Sequence, residues 1–196
     1  MKVVSSLICA LIFSFTAHAG FLPLANIIKI HGKVLINNMK VEEGSEIVQG
    51  MVIKIPKKGD YVIIKYQNGH KVRFTEATVK IEELTEKISL LSLLQGQLHT
   101  IVKKLTPNEV FIVKTKYASF AVRGTQFGIT VDKKKRKSYL CVCEGVVAVT
   151  QGALKSEVHK NEDLWIGANA KELIVQQSTP TMFNMTESII KELEAL

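Results

Sequence analysis

Past residue 19 the sequence has no second long apolar run, and the roughly 20 residues that cross a bilayer as a helix are not found again. That lack excludes a one-chain transmembrane signaller. The short patterns that announce enzymes are missing as well. There is no Gly-x-Ser-x-Gly elbow and no phosphate loop, and His31, His70, His99 and His159 stand in no metal-ligand spacing and away from the cysteines. Glu42-Glu43 and Glu82-Glu83 read as exposed turn charges rather than an acid/base pair. No catalytic residues, no metal ligands and no cofactor are therefore expected, and the chain reads as a non-enzyme.

Cysteine is scarce. Cys9 lies in the N-terminal apolar run, after Leu7-Ile8, where a lipoprotein site would need a small residue. Cys141 and Cys143 are two apart in an extended segment, which puts their Cα atoms roughly 6.5 to 7 Å apart, at or beyond the limit for a relaxed disulfide. Two readings remain for them: small apolar fillers on a buried strand, or a reactive pair that binds metal or crosslinks chains. The apolar surroundings Tyr139 to Cys143 favour the first.

What is present begins with a leader. Lys2 precedes an apolar stretch over 3–15, and Ala17-His18-Ala19 places small residues three and one positions before Gly20, the pattern of a cleaved secretory signal over 1–19. The expected location is periplasmic or secreted, after cleavage near Ala19/Gly20. The formal charge is +8, or +7 once Lys2 is lost, which favours anionic partners.

Most of the remaining chain alternates with period two. Val72 and Phe74 oppose Lys71 and Arg73, and Phe111 and Val113 oppose Val110 and Ile112. Turn chemistry separates such runs at Asn37-Asn38, Glu43-Gly44-Ser45, Lys57 to Asp60 and Asn68-Gly69, the last a strong hairpin signal. Gly32-Lys33-Val34, Gly96-Gln97-Leu98 and Gly145-Val146-Val147 repeat loosely with no fixed period, which excludes a regular array but suits irregular stacked coils of sheet. The segment 84–105 is ambiguous. Ile88, Leu91, Leu94, Leu98, Ile101 and Leu105 follow helical spacing, yet Gly96 sits in the middle, and two strands broken near Gly96 fit as well. After Pro180, Met182, Phe183, Ile189, Ile190, Leu193 and Leu196 recur at helical spacing, so a terminal helix is expected, starting there or near Thr186 and docked on its own domain.

One stretch stands out: Ser119-Phe120-Ala121-Val122-Arg123-Gly124-Thr125-Gln126-Phe127. The apolar positions are even before Gly124 (Phe120, Val122) and odd after it (Phe127, Ile129, Val131), so the inward phase slips by one residue and Gly124 is placed to absorb the slip. Arg123 then reads either as part of a structural corner, with Arg123 and Thr125 tying backbone groups, or as part of a partner surface. The corner is favoured because a guanidinium between Val122 and Gly124 is expected to lie against carbonyls or a carboxylate.

Val113-Lys114-Thr115, Ala118, Ala121-Val122-Arg123-Gly124-Thr125 and Phe127 resemble the signature of the FecR domain family. The resemblance extends over residues 27–167, through Gly32 to Val34, Gly44, Gly50, Asn68-Gly69, the stretch around Gly96, and Cys143-Glu144-Gly145 with Val147 and Val149. It implies an all-β, β-solenoid-like or sandwich-like FecR domain with a short C-terminal helix, in which 84–105 is largely strand. The expected organisation is a signal peptide over 1–19, the domain over 27–167 and a C-terminal tail with helix over 168–196. The resemblance also implies a non-enzymatic, extracytoplasmic role. Regulators of this family join a cytoplasmic anti-sigma part and a membrane span to a periplasmic FecR region that recognises the signalling extension of a TonB-dependent outer-membrane transporter. This chain departs from that arrangement in having no cytoplasmic part or stable span, and too short a tail for a second periplasmic module.

Lys133-Lys134-Lys135-Arg136-Lys137 separates two apolar runs and reads as a hairpin tip, either simply solvated or in contact with an anionic envelope component. Aromatics are not interleaved, so nucleic acid gains no support. The expected function is a binding or scaffold protein of the cell envelope that contributes to cell-surface signalling by protein recognition, with strand addition at a sheet edge as its physical mode. The alternative is binding of anionic glycan or lipid through 133–137. The expected binding residues are Arg123, Gly124, Thr125 and Phe127 with Lys133, Lys134, Lys135, Arg136 and Lys137. The partner classes are an envelope protein, such as an outer-membrane transporter or membrane regulator, and an anionic glycan or lipid.

Overall fold

The computed structural model describes residues 23–196, and the leader over 1–19 lies outside the described residues. Fifteen strands and one helix follow in order: β1 (Ala25–His31), β2 (Leu35–Ile36), β3 (Met39–Lys40), β4 (Val52–Lys54), β5 (Tyr61–Tyr66), β6 (Lys71–Leu84), β7 (Ile88–Val102), β8 (Val110–Lys114), β9 (Ser119–Val122), β10 (Thr125–Asp132), β11 (Lys137–Glu144), β12 (Val146–Gln151), β13 (Leu154–His159), β14 (Glu162–Gly167), β15 (Val175–Gln177) and α1 (Pro180–Glu194). The chain is all-β. The strands form one hydrogen-bonded sheet in which every neighbouring pair is antiparallel except the parallel pair β7–β8.

Two long strands organise this sheet. The first half of β6 pairs with β5 and its second half with β4. Likewise the second half of β7 pairs with β10 and its first half with β8. The sheet therefore divides in the middle of β6 and β7 into two layers. One carries β1, β5, β10, β11, β14 and β15; the other carries β2, β3, β4, β8, β9, β12 and β13. The layers face each other: the rings of Tyr66 on β5 and Phe111 on β8 lie 6.0 Å apart, although these strands are not neighbours in the sheet. A single hydrophobic cluster fills the space between, from Ala25 and Ile27 to Leu164 and Ile166. The sandwich-like description fits this arrangement.

The fold line is chemically marked. In β6 the pairing slips between Thr75 and Thr78, and Glu76 takes a φ of +50°. Opposite, Gly96 has a φ of +86°, and a Cβ on it would stand 2.3 Å from the Glu76 carbonyl oxygen and 2.6 Å from Ala77 Cα. Only glycine permits both this backbone conformation and this approach. The slip also explains the helical spacing of 84–105. Leu91 and Leu93 point into the core before the corner, and Leu98 does so after it, so the odd-to-even change mimics a three- and four-residue period while the segment is strand throughout Ile88–Val102.

The turns follow from their residues. Asn37 and Asn38 both take positive φ between β2 and β3, a two-residue hairpin. At Asn68-Gly69 only Gly69 does (φ +85°), with Gly69 N–H donating to the Tyr66 carbonyl and Tyr66 N–H to the His70 carbonyl, a three-residue loop in which glycine supplies the left-handed position.

α1 covers the outer face of the first layer, burying Ile190 and Leu193 with Ile63 and Cys143 against Ile28, Tyr61, Ile101 and Phe183. Thr179 caps its start, and Pro180 occupies the first turn, where no N–H is needed. Its far end is tied by the Arg73–Glu192 ion pair, by Lys71 Nζ donating to the Leu193 carbonyl at 3.0 Å and by Gln126 Nε2 donating to Glu194 Oε1 at 2.7 Å.

Candidate functional site: a groove where the chain changes layers

β9 belongs to one layer and β10 to the other, so Arg123-Gly124 is not a bulge within a strand but the crossing between layers. Two further crossings lie beside it: β7 leads into β8 through Lys103-Lys104, and β11 leads into β12 through Gly145. Their stacking is close. A Cβ on Gly145 (φ +83°) would lie 2.6 Å from the Gly124 carbonyl oxygen and 2.7 Å from Thr125 Cγ2, and Gly124 itself (φ +68°) sits against the Lys104 backbone. The Arg-Gly-Thr and Glu-Gly elements of the sequence are thus two halves of one packed end of the molecule.

These crossings line an open groove of about 480 Å³ whose charged residues are Lys103, Lys104, Arg123 and Glu144. Three cations face one carboxylate, so the groove carries net positive charge. Arg123 is exposed and has no ion pair among the described residues, so of the expected carbonyls or carboxylate against its guanidinium, the carboxylate is not there. Thr125 is buried with its hydroxyl unpartnered among the described residues, so it does not tie a backbone group. Phe127 lies fully in the core and is a packing residue, not part of a binding surface.

The groove wall is braced from below. His70 Nδ1 accepts a hydrogen bond from the Lys103 N–H at 3.1 Å, which requires that nitrogen to be unprotonated. Burial pushes the His70 imidazole down to about 4 against the opposing pull of Glu109, so the acceptor persists at neutral pH. Elsewhere in the signature, Thr115 Oγ1 accepts the N–H groups of Tyr117 and Ala118, both at 3.1 Å, and closes the β8–β9 turn.

The basic tip between β10 and β11 is split by the structure. Lys133 and Arg136 join Lys116, Leu94, Tyr117 and Val131 around a second pocket of about 340 Å³. Lys134 and Lys135 are exposed outside it, with the Lys135 N–H donating to Asp132 Oδ1 at 2.9 Å. Lys137 lies over the Trp165 ring, its Nζ 4.5 Å from the centroid. Lys103, Lys104 and Lys116 were not singled out by the sequence, because their charged pocket neighbours come from other strands and turns, well separated along the chain. The one available signal was a charged residue directly before a glycine at Arg123-Gly124 and Glu144-Gly145.

Cys141 and Cys143 are free and buried on the outer face beneath α1. A hydrogen bond between the two thiols lowers Cys141 and raises Cys143, and Cys141 Sγ lies 3.5 Å from Ser178 Oγ. They pack as fillers; among the described residues no group of three or more His, Cys, Asp or Glu side chains could hold a metal ion.

Residues 53–148, from β4 to the middle of β12, match the FecR protein family, and this stretch of the chain is a FecR domain. Among solved structures, a candidate anti-sigma factor of Parabacteroides distasonis ATCC 8503, determined at 1.65 Å resolution, shares the fold with 19% identity and a TM-score of 0.57 over 65% of this chain and 59% of its own. A second P. distasonis structure so described, at 2.50 Å resolution, aligns at 17% identity and a TM-score of 0.45 over 74% of this chain and 60% of its own. This chain thus spans about three-fifths of the length of those proteins. No curated protein matches it.

Proposed function

We propose that this chain is a regulatory, non-catalytic recognition module of the cell envelope, acting in cell-surface signalling by binding an acidic segment of another envelope protein in the crossover groove. The observation that carries the reading is the convergence of Lys103, Lys104 and Arg123 on one groove built from the FecR signature itself. An exposed guanidinium with no ion-pair partner among the described residues is free to pair with a carboxylate bidentately. The regulatory part of the reading rests on the family match and on the description of the P. distasonis relative as a candidate anti-sigma factor. The place of action, periplasmic or secreted, rests on the leader over 1–19.

The test is crosslinking in native cells with the chain from residue 20 onward as bait, beside an Arg123→Glu variant. Recovery of an outer-membrane transporter or membrane regulator by the parent chain, and its loss from a variant of unchanged thermal stability, is the expected result. Recovery of envelope glycan alone, or of further copies of the chain alone, overturns it.

A second reading is favoured by a separate observation. Lys116, Lys133 and Arg136 surround a pocket beside exposed Leu94, an arrangement suited to an anionic headgroup with an apolar portion. In this reading the tip holds acidic glycan or lipid.

A further inference from the structure

α1 does not close completely on the sheet beneath it. Near its first two turns a cavity of about 190 Å³ remains between the helix and the outer faces of β7, β10, β11 and β14. Gly128 forms part of its floor: a Cβ there would come within 2.9 Å of the His99 ring and 3.0 Å of Thr186 Cγ2. His99 is 5% exposed, and its Nδ1 makes no hydrogen bond among the described residues. That nitrogen has almost no open surface; the Cδ2–Nε2 edge of the ring is the one that faces the space above Gly128, so Nε2 is the nitrogen a bound polar group would meet. Burial holds this imidazole neutral, pushed down to about 4, with Arg73 adding to the effect.

The walls differ in chemistry. Trp165 is 40% exposed and packs on Tyr139 with ring centroids 4.6 Å apart, while Met185, 62% exposed, stands on the helix side. Aromatic faces and thioethers take a flat ring well. The Lys137 ammonium sits against the Trp165 ring, so a cation borders the aromatic wall. At roughly 30 Å³ per water, the volume equals about six waters, room for one ring with short substituents and below the about 300 Å³ at which drug-sized sites begin.

We infer that this cavity is a binding site for a small aromatic acid carrying a second polar substituent, its ring against Trp165 and Met185, its carboxylate at Lys137 and its other polar group at His99. The site is separate from the crossover groove and does not depend on the recognition proposed there.

Trp165 is the only tryptophan in the chain, so its emission reads the cavity directly. Titration of the whole chain from residue 20 onward with 4-hydroxybenzoate should give a saturable change at about millimolar concentration or below, with benzyl alcohol weaker by at least about tenfold. Lys137→Gln should remove the difference between the two compounds. Thr130→Leu, which fills the cavity from β10, should abolish the response while thermal unfolding stays cooperative. No saturable change with the parent chain, an unaltered response in Thr130→Leu, or equal binding of benzyl alcohol would each overturn the assignment.

Discussion

Single residues carry two separable loads in this molecule, backbone geometry at the corner and neutral imidazoles beneath the surface. Gly96 must accept a left-handed backbone and the Glu76 carbonyl at a distance no methyl group tolerates. Gly96→Ala should therefore destabilise the fold by more than about 2 kcal/mol in urea unfolding, whereas Leu94→Ala, at an exposed neighbour, should change it little. His70 and His99 are both held near 4, from an ordinary value of 6.5. Unfolded, each imidazole takes its proton near pH 6.5; folded, each resists until about pH 4. Within that window the unfolded chain binds protons that the native chain does not. The stability contributed is complete above pH 6.5 and is lost as pH falls toward 4, at up to about 3 kcal/mol per pH unit from the two together. Urea midpoints measured across this range check it, and His70→Gln should flatten the slope by about half. The histidines could not be ranked from sequence, because burial beneath β8 or α1 is a property of the packed structure.

Among the elements, α1 is the one that joins the sheet least through backbone bonding and most through side chains. Arg73 is held between the Glu192 carboxylate and the Tyr61 ring, its guanidinium carbon 3.8 Å from the centroid, and Lys71 reaches the last helical carbonyls, where a cation complements the helix dipole. The helix shields Cys143 and Ile63. In the native chain the Cys141 and Cys143 thiols should stay unreactive toward a disulfide reagent until unfolding, despite the acidity of Cys141, because the thiolate must be reached as well as formed. Truncation after Gln177 should make both react at once and lower the unfolding midpoint. Protection that survives truncation would mean that the sheet alone buries them. Glu192→Ala should loosen only the far end, leaving the thiols largely protected. The amphipathic pattern of this helix was legible in the sequence, and so was its docking on its own domain; its start at Pro180 rather than near Thr186 follows from the Thr179 cap.

For the whole molecule, two separated places that gather positive charge are the crossover groove and the pocket at the tip of β10–β11. Binding to anionic vesicles through the tip should fall steeply as salt rises, and a Lys116→Ala, Lys133→Ala, Arg136→Ala variant should lose most of it, while Lys134→Ala with Lys135→Ala should retain it. Equal loss in both variants would mean that the charge acts as a diffuse field rather than through a pocket. The same variants should leave any partner captured by the crossover groove unaffected, since the two sites share no lining residue.

The sequence by itself determined that the chain is built of strands, where hairpins turn and which glycines interrupt the alternation, because these depend on the period of side chains along one strand and on the φ values that glycine and asparagine accept. It also marked Arg123-Gly124-Thr125 and Glu144-Gly145 as exceptional. Only the tertiary structure decided that both are crossings between layers, that Phe127 belongs to the core, and that Arg123 meets Lys103 and Lys104 across a groove. It likewise decided that the basic tip divides, with Lys133 and Arg136 turned toward Lys116 and Lys137 turned toward Trp165. Local patterns specify a strand and its faces. Which faces meet is settled by burying the inward sides of both layers in one core, and that brings together residues far apart in the chain.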